Sequence, residues 1–238
     1  MKILVVAAMD REIEVIKNYI DVHGGYKELR VNGFSFYQGK IGENEIKLVK
    51  SGVGRVNSGI LIAIAKSVFD FDLVINIGIA GGLAPLKRND IVIGERTVYG
   101  DVDLTALTKY EYGQMSGCPK YFEGSKKVID LIKNDESLSK DVHFGSICSR
   151  EMFTTDLEEV NSLINKNFSD ANILAFEMES ACFAQACGLF NIDFIAIRFL
   201  SDIIGEKNQV EKFVDTVDDS AKDERCNNYV ISLIEKIK

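Results

Sequence analysis

Acid–base chemistry in this chain has to come from carboxylates. Only two histidines are present, His23 and His143, and the five cysteines (Cys118, Cys148, Cys182, Cys187, Cys226) form no Cys-x-x-Cys pair and stand beside no histidine at a metal-ligand spacing. A zinc site or a Ser-His-Asp triad therefore has little to draw on. The acidic residues that could serve instead lie in short motifs next to apolar runs: Glu12 in "AMDRE" (8–12), Glu177 and Glu179 in "FEMES" (176–180), and Asp202 in "IRFLSD" (197–202).

Each of these has a plainer role to weigh against chemistry. In a helix starting at 178, Glu179 projects onto the line of Phe183, Ala186 and Phe190, and Glu177 onto that of Ala181, Ala184 and Gly188. Both stripes are apolar, so that helix is expected to be buried nearly all round. Residues two apart on a helix do not face each other, so at most one of the pair points at a shared ligand. Either could instead support the helix start electrostatically, by roughly 0.3–1 kcal/mol. Arg198 interrupts the buried-strand composition of "FIAIRF", and an unpaired buried guanidinium is very costly, so it needs an anionic partner. Glu177 and Glu179 are the candidates, in a pair that is either structural or functional. Ser201-Asp202 alone would read as a helix cap, and Glu12 as an acid in a first helical turn. The run "GIAGG" (78–82) allows close backbone approach to a ligand. It is not a dinucleotide fingerprint, and "SGVGRVNSG" lacks the Lys-Ser/Thr of a P-loop.

The elements that must position these residues follow from periodicity. A strand is expected over 2–8, then a helix in "REIEVIKNYI", where Ile13, Ile16 and Ile20 recur at helical spacing. "FSFYQGKIG" and "NEIKLVKSG" alternate like a hairpin, and "RVNSGILIAIAKSVFD" reads as a helix. "DLVINIG" and "DIVIGE" read as strands around a glycine-rich turn, and 97–122 as a long ordered loop of the kind that often carries function. Helices at 125–134 and 156–166 flank a strand in "VHFGSICS"; strand 173–176, helix 178–189, strand 193–199 and a helix from about 220 close the chain. Apolar strands separated by helices predict an α/β fold, here one domain over 1–238, with a mostly parallel sheet covered on both faces. In such sheets ligands sit outside the carboxyl ends of the strands, where the four motifs fall.

Bulk properties narrow the partners. The net charge of -8 argues against a nucleic acid held by phosphate contacts. No apolar run approaches the roughly 20 residues needed to span a bilayer, and "MKILVVAAMDREIE" turns charged too early for a signal peptide. A cytoplasmic protein with a small-molecule ligand is expected, its cysteines reduced.

Taken together and in order, "AMDRE", "SGVGRVN", "GIAGGLAP", "DVDLTAL", "YEYGQMSGCP", "FEMES" and "IRFLSD" resemble the bacterial 5'-methylthioadenosine/S-adenosylhomocysteine nucleosidases, from Met1 to at least Asp202. The resemblance implies a three-layer α/β/α sandwich around a twisted mixed sheet, and a homodimer in which the 97–122 loop, with Leu107 and Tyr110, contributes to the partner's site. It implies hydrolysis of an N-glycosidic bond to give adenine and a 5'-thio-substituted ribose, without metal or cofactor. By motif match, Asp202 would protonate adenine N7 and Glu12 would activate water. Glu179 would bind the ribose hydroxyls, Met178 would pack on the sugar, and Arg198 would help to order Glu12 and the water. Phe153 would stack on adenine while the Thr154 backbone reads the base edge, with Met9, Ile79, Ala80, Gly81 and Ser201 lining the site and Phe213 covering the 5' group.

Several positions depart from that pattern. Ser149, Arg150 and Glu151 replace the usual Ser-Gly-Asp before the stacking aromatic, Gly100 stands where many members have histidine, and Leu107 where some have an aromatic. The segment "IIGEKNQVEKF" after Asp202 also differs. A phosphate-dependent phosphorylase on the same fold is the enzymatic rival; such enzymes commonly place an arginine where this chain has Ile77, and Glu12 beside Arg11 would repel phosphate. A non-catalytic nucleoside-binding protein is the other.

Overall fold

The structure is a computed structural model, and it describes residues 1–218 and 224–238. β1 (Lys2–Ala7), α1 (Arg11–Val22), β2 (Lys27–Val31), β3 (Phe34–Ile41), β4 (Asn44–Lys50), α2 (Arg55–Val68) and β5 (Leu73–Gly82) form the first half. β6 (Ile91–Tyr99), β7 (Phe122–Glu123), α3 (Lys126–Asn134), α4 (Glu136–Ser139), β8 (Val142–Ser149), α5 (Leu157–Asn167), β9 (Ile173–Glu177), α6 (Ser180–Leu189), β10 (Asp193–Ile203), α7 (Gln209–Asp218) and α8 (Glu224–Lys236) follow.

Strand alternation builds a core on each face of the sheet. Ile3, Val5, Ile75 and Ile195 face α1, α3, α4 and α8, whereas Leu4, Val6, Val74 and Ala196 face α2 and α6. Period-2 side chains on a sheet apolar on both faces require this layering, and the result is the α/β/α sandwich. The sheet order is β10-β6-β8-β9-β5-β1-β4-β3-β2, with β10 also pairing β5.

That sheet is mixed rather than mostly parallel. β1 pairs β4 and β5 in parallel, as do β5 with β10 and β8 with β6 and β9, but β10–β6, β5–β9 and the β2-β3-β4 meander are antiparallel. "GIAGG" is no turn: β5 runs through it to Gly82, and Gly81 and Gly82 pair with β9. β6 extends to Tyr99, so the long connection starts three residues later than expected, and it holds a single turn of 3-10 helix at Thr105–Leu107. The expected onset of the last helix near 220 falls outside the described residues; α8 begins at Glu224 after them.

Candidate active site

Six chain segments converge on one cavity. Twelve of the expected residues line it: Met9 and Glu12 after β1; Ile79, Ala80 and Gly81 on β5; Phe153 and Thr154 after β8; Met178 and Glu179 after β9; Ser201 and Asp202 on β10; and Phe213 on α7. Ala8, Val53, Met152, Phe176 and Glu177 complete it. Arg198 stands outside the lining, and Leu107 and Tyr110 lie away from it on the long loop, where the Tyr110 hydroxyl meets Ser116 Oγ at 2.8 Å.

Glu12 is buried and held by backbone amides. Its Oε2 accepts from Met9 N at 2.9 Å and its Oε1 from Ile79 N at 3.0 Å. Gly78 makes the second bond possible, because a Cβ there would come within 2.9 Å of Glu12 Oε1. The same missing Cβ leaves Arg198 Nη1 at 3.6 Å, so both side chains rest against this one residue.

Arg198 resolves the FEMES pair. It is 1% exposed, and its Nη2 meets Glu177 Oε2 at 2.7 Å, Ser180 Oγ at 2.7 Å and Asn76 Oδ1, while Nη1 donates to the Asn76 carbonyl. Glu177 also accepts from the Glu179 and Ser180 amides and from Ser149 Oγ. Burial alone would push its pKa up, but the guanidinium and these donors outweigh that and hold the carboxyl below its ordinary value. The helical stripes assigned to the pair do not apply, since β9 runs through Glu177 and α6 begins only at Ser180, with Glu179 at its N-cap.

Glu179 has the opposite environment. It accepts from Gly54 N at 2.8 Å, ahead of α2. Burial first, and the Glu177 charge second, push its pKa up.

Asp202 owes its aim to a β-bulge. Leu200 pairs with Ala80 and Asp202 with Gly81, leaving Ser201 as the extra residue. Ile203, not Asp202, therefore continues the core row of Ala196 and Leu200. A Cβ on Gly81 would sit 3.2 Å from Asp202 Oδ2, so the glycine keeps space beside the carboxyl. Ser201 Oγ donates to Oδ1 at 2.5 Å and Gln209 Nε2 to Oδ2 at 2.7 Å. Burial pushes the Asp202 pKa up, against those two donors.

The loop after β8 departs from the expected sequence, yet Phe153 and Thr154 still line the cavity. Arg150 turns away to grip Glu159 with two bonds at 2.8 and 2.9 Å, and Glu151 accepts from Arg55 N at 2.5 Å. Gly100 and Arg150 are a linked pair of departures, since a Cβ at Gly100 would meet Arg150 Cγ at 2.8 Å and Cys148 Sγ at 2.4 Å. Phe153 is 42% exposed and packs edge-on to Phe213, with centroids 4.8 Å apart. Sequence reasoning missed Asn76, Gln209 and Arg88. Arg88 ties β10 to α7 through bonds to the Ser201 and Lys212 carbonyls and Thr216 Oγ1. A buried Asn in "DLVINIG" was the one available signal among them. Among the described residues no cluster of His, Cys, Asp and Glu is placed to hold a metal ion.

Residues 2–233 match the sequence profile of the phosphorylase superfamily. A 5'-methylthioadenosine/S-adenosylhomocysteine nucleosidase of Geobacillus sp. (strain WCH70) is 34% identical over 221 residues, covering 91% of this chain and 92% of the relative. This chain belongs to that nucleosidase family. Solved nucleosidase structures superpose on it closely. The Streptococcus pneumoniae nucleosidase with a transition-state inhibitor has a TM-score of 0.90 at 30% identity, covering 100% of both chains. The nucleosidase of Colwellia psychrerythraea in complex with adenine has a TM-score of 0.87 at 32% identity, covering 100% of this chain and 96% of that one.

Proposed function

We propose that this nucleosidase hydrolyses the N-glycosidic bond of 5'-methylthioadenosine and S-adenosylhomocysteine, with Asp202 as general acid at adenine N7 and Glu12 as base for the attacking water. The observation that carries the reading is the environment of Asp202: a buried carboxyl with a raised pKa, faced by neutral donors, in a cavity that also holds an amide-anchored Glu12. An acid must hold its proton near neutral pH until the leaving base needs it. Glu12 is anchored at Ile79 and Asp202 pairs at Gly81, two residues apart along β5, a rise of roughly 7 Å. An acid and a base brought into one cavity is the logic of glycoside hydrolysis. As the C1'–N9 bond breaks, positive charge on the ribose would be stabilised by Glu12, while Glu179 holds the ribose hydroxyls, with Met178 against the sugar and Phe153 on the base.

Hydrolysis is favoured over phosphorolysis by charge. Ile77 is buried in the β5 core, and Arg55 is engaged by Asp101 and the Ser149 carbonyl. Purified protein should release adenine from methylthioadenosine at a rate unchanged by phosphate. Strict phosphate dependence would make it a phosphorylase, and adenosine-analogue binding without release would make it a binding protein.

Assembly as a homodimer belongs to the same proposal. Val53, Val56 and Ile60 leave an exposed apolar stripe along the start of α2, with Leu107 and Met152 also exposed. Sedimentation at the mass of one chain would remove this part. Five free cysteines suit the cytosol, and among the described residues no helix is long and apolar enough to cross a membrane.

A further inference from the structure

Gln209 is a buried polar side chain at the acid, reached from α7, that the reaction above does not use. It is 6% exposed, and its whole amide is engaged. Oε1 accepts from Gly205 N at 3.1 Å, while Nε2 donates to Asp202 Oδ2 at 2.7 Å and to the Thr154 carbonyl at 2.9 Å. The orientation is forced, because exchanging oxygen and nitrogen would aim an acceptor at the Thr154 carbonyl, which has no proton to give. One –NH2 group thus bridges two acceptors.

Adenine carries the same group. Its exocyclic amine lies beside N7 on one edge of the ring, an N–H donor next to an acceptor. With N7 at Asp202 and the base edge at the Thr154 backbone, that amine needs the space and the acceptors that Gln209 Nε2 fills. Each oxygen can accept more than one bond, but two nitrogens cannot occupy the one position between them. We propose that the Gln209 carboxamide is an internal stand-in for the purine 6-amino group, displaced when the base enters, and that this exchange tunes the affinity for 6-aminopurines; the inference rests on the adenine reading above.

The position of Gln209 suits an exchange. It opens α7 after an exposed turn at 205–208. Phe213, four residues on, shares its helix face and meets Phe153, so one face of α7 covers both the amino subsite and the stacking ring. Displacement also has a chemical effect on Asp202. The Nε2 bond favours the charged carboxylate, as do the Ser201 hydroxyl and Arg88, while Glu206 opposes it. Losing that bond as the base arrives moves Asp202 toward the protonated form.

Titration calorimetry of wild-type and Gln209→Ala protein with adenine, and with purine, which lacks the amino group, tests the exchange. Adenine should bind the variant about three- to tenfold more tightly, the effect of net hydrogen bonds that no longer have to be broken. Purine affinity should change less than about twofold, because nothing on that ring claims the two acceptors. The widened ratio is the readout that a merely structural role for Gln209 would not move. Weaker or unchanged adenine binding, or equal tightening of both ligands, overturns the proposal. Gln209→Met keeps the length without the donor and should give the same pattern, which covers an alanine variant that fails to fold. Wild-type protein that binds no adenine would instead remove the proposed function itself.

Discussion

Two buried carboxyl centres lie at this cavity and are built on opposite rules. Around Glu177 every neighbour answers a charge: a guanidinium, two backbone amides and a serine hydroxyl satisfy a carboxylate that never needs to change state. Around Asp202 the direct partners are neutral, a serine hydroxyl and a glutamine amide, and burial tilts it toward its proton. A countercharge makes a carboxyl a scaffold; neutral donors leave it free to exchange protons. Glu179 belongs with Asp202, since a neutral backbone amide donates to it and burial and the Glu177 charge disfavour a second anion.

The strongest way to break this comparison is Asp202→Asn. Adenine release should fall about 10²- to 10⁴-fold, the usual worth of a positioned acid, with the melting temperature little changed because Ser201 and Gln209 can bond an amide. Near-normal rates would refute the acid assignment. The FEMES pair comes next. Glu177→Gln strands a buried guanidinium, and chemical denaturation should show a loss of roughly 3–5 kcal/mol. Glu179→Gln should leave stability nearly intact, since the folded protein already favours the neutral form, yet reduce turnover per folded molecule about 10²-fold. Equal losses of turnover per folded molecule would undo the distinction.

The signs of the pH effects differ in the same way. The Glu177 pKa is depressed, so its contribution to stability is complete above the ordinary value of 4.5 and lost as pH falls through the folded value. The Asp202 pKa is raised, so the active acid is lost as pH climbs through it, giving an alkaline limb to kcat. Ser201→Ala removes a donor to the charged form and should move that limb upward, by up to about one pH unit, with only a several-fold fall in rate. A limb that stays or moves down would contradict the role of Ser201.

How much of this was legible in the sequence depended on whether pattern or tertiary pairing fixed the residue. The three isoleucines of α1 and the apolar run of β1 needed only periodicity. Arg198 announced a buried anion, but not which of two glutamates, because the choice rests on where β9 stops and α6 starts. The glycines of "GIAGG" looked like a turn, although pairing with β9 and β10 keeps them extended. β2 escaped notice because "KELRV" is largely exposed and polar. Gln209 was invisible, since a glutamine in a Lys- and Glu-rich stretch reads as surface until the fold brings Thr154 and Asp202 to it.

The Arg88 tie can also be seen as a pivot. It grips α7 at Lys212 and Thr216, and Phe213 lies within one residue of the first of these, whereas Gln209 begins the helix. Gln209 lies three residues from Lys212 and seven from Thr216, about 5 to 10 Å of lever arm at the rise of an α-helix. A tilt of α7 about the tie would carry the amide further from the acid than it moved the aromatic ring, so the cavity could admit a base and keep its roof.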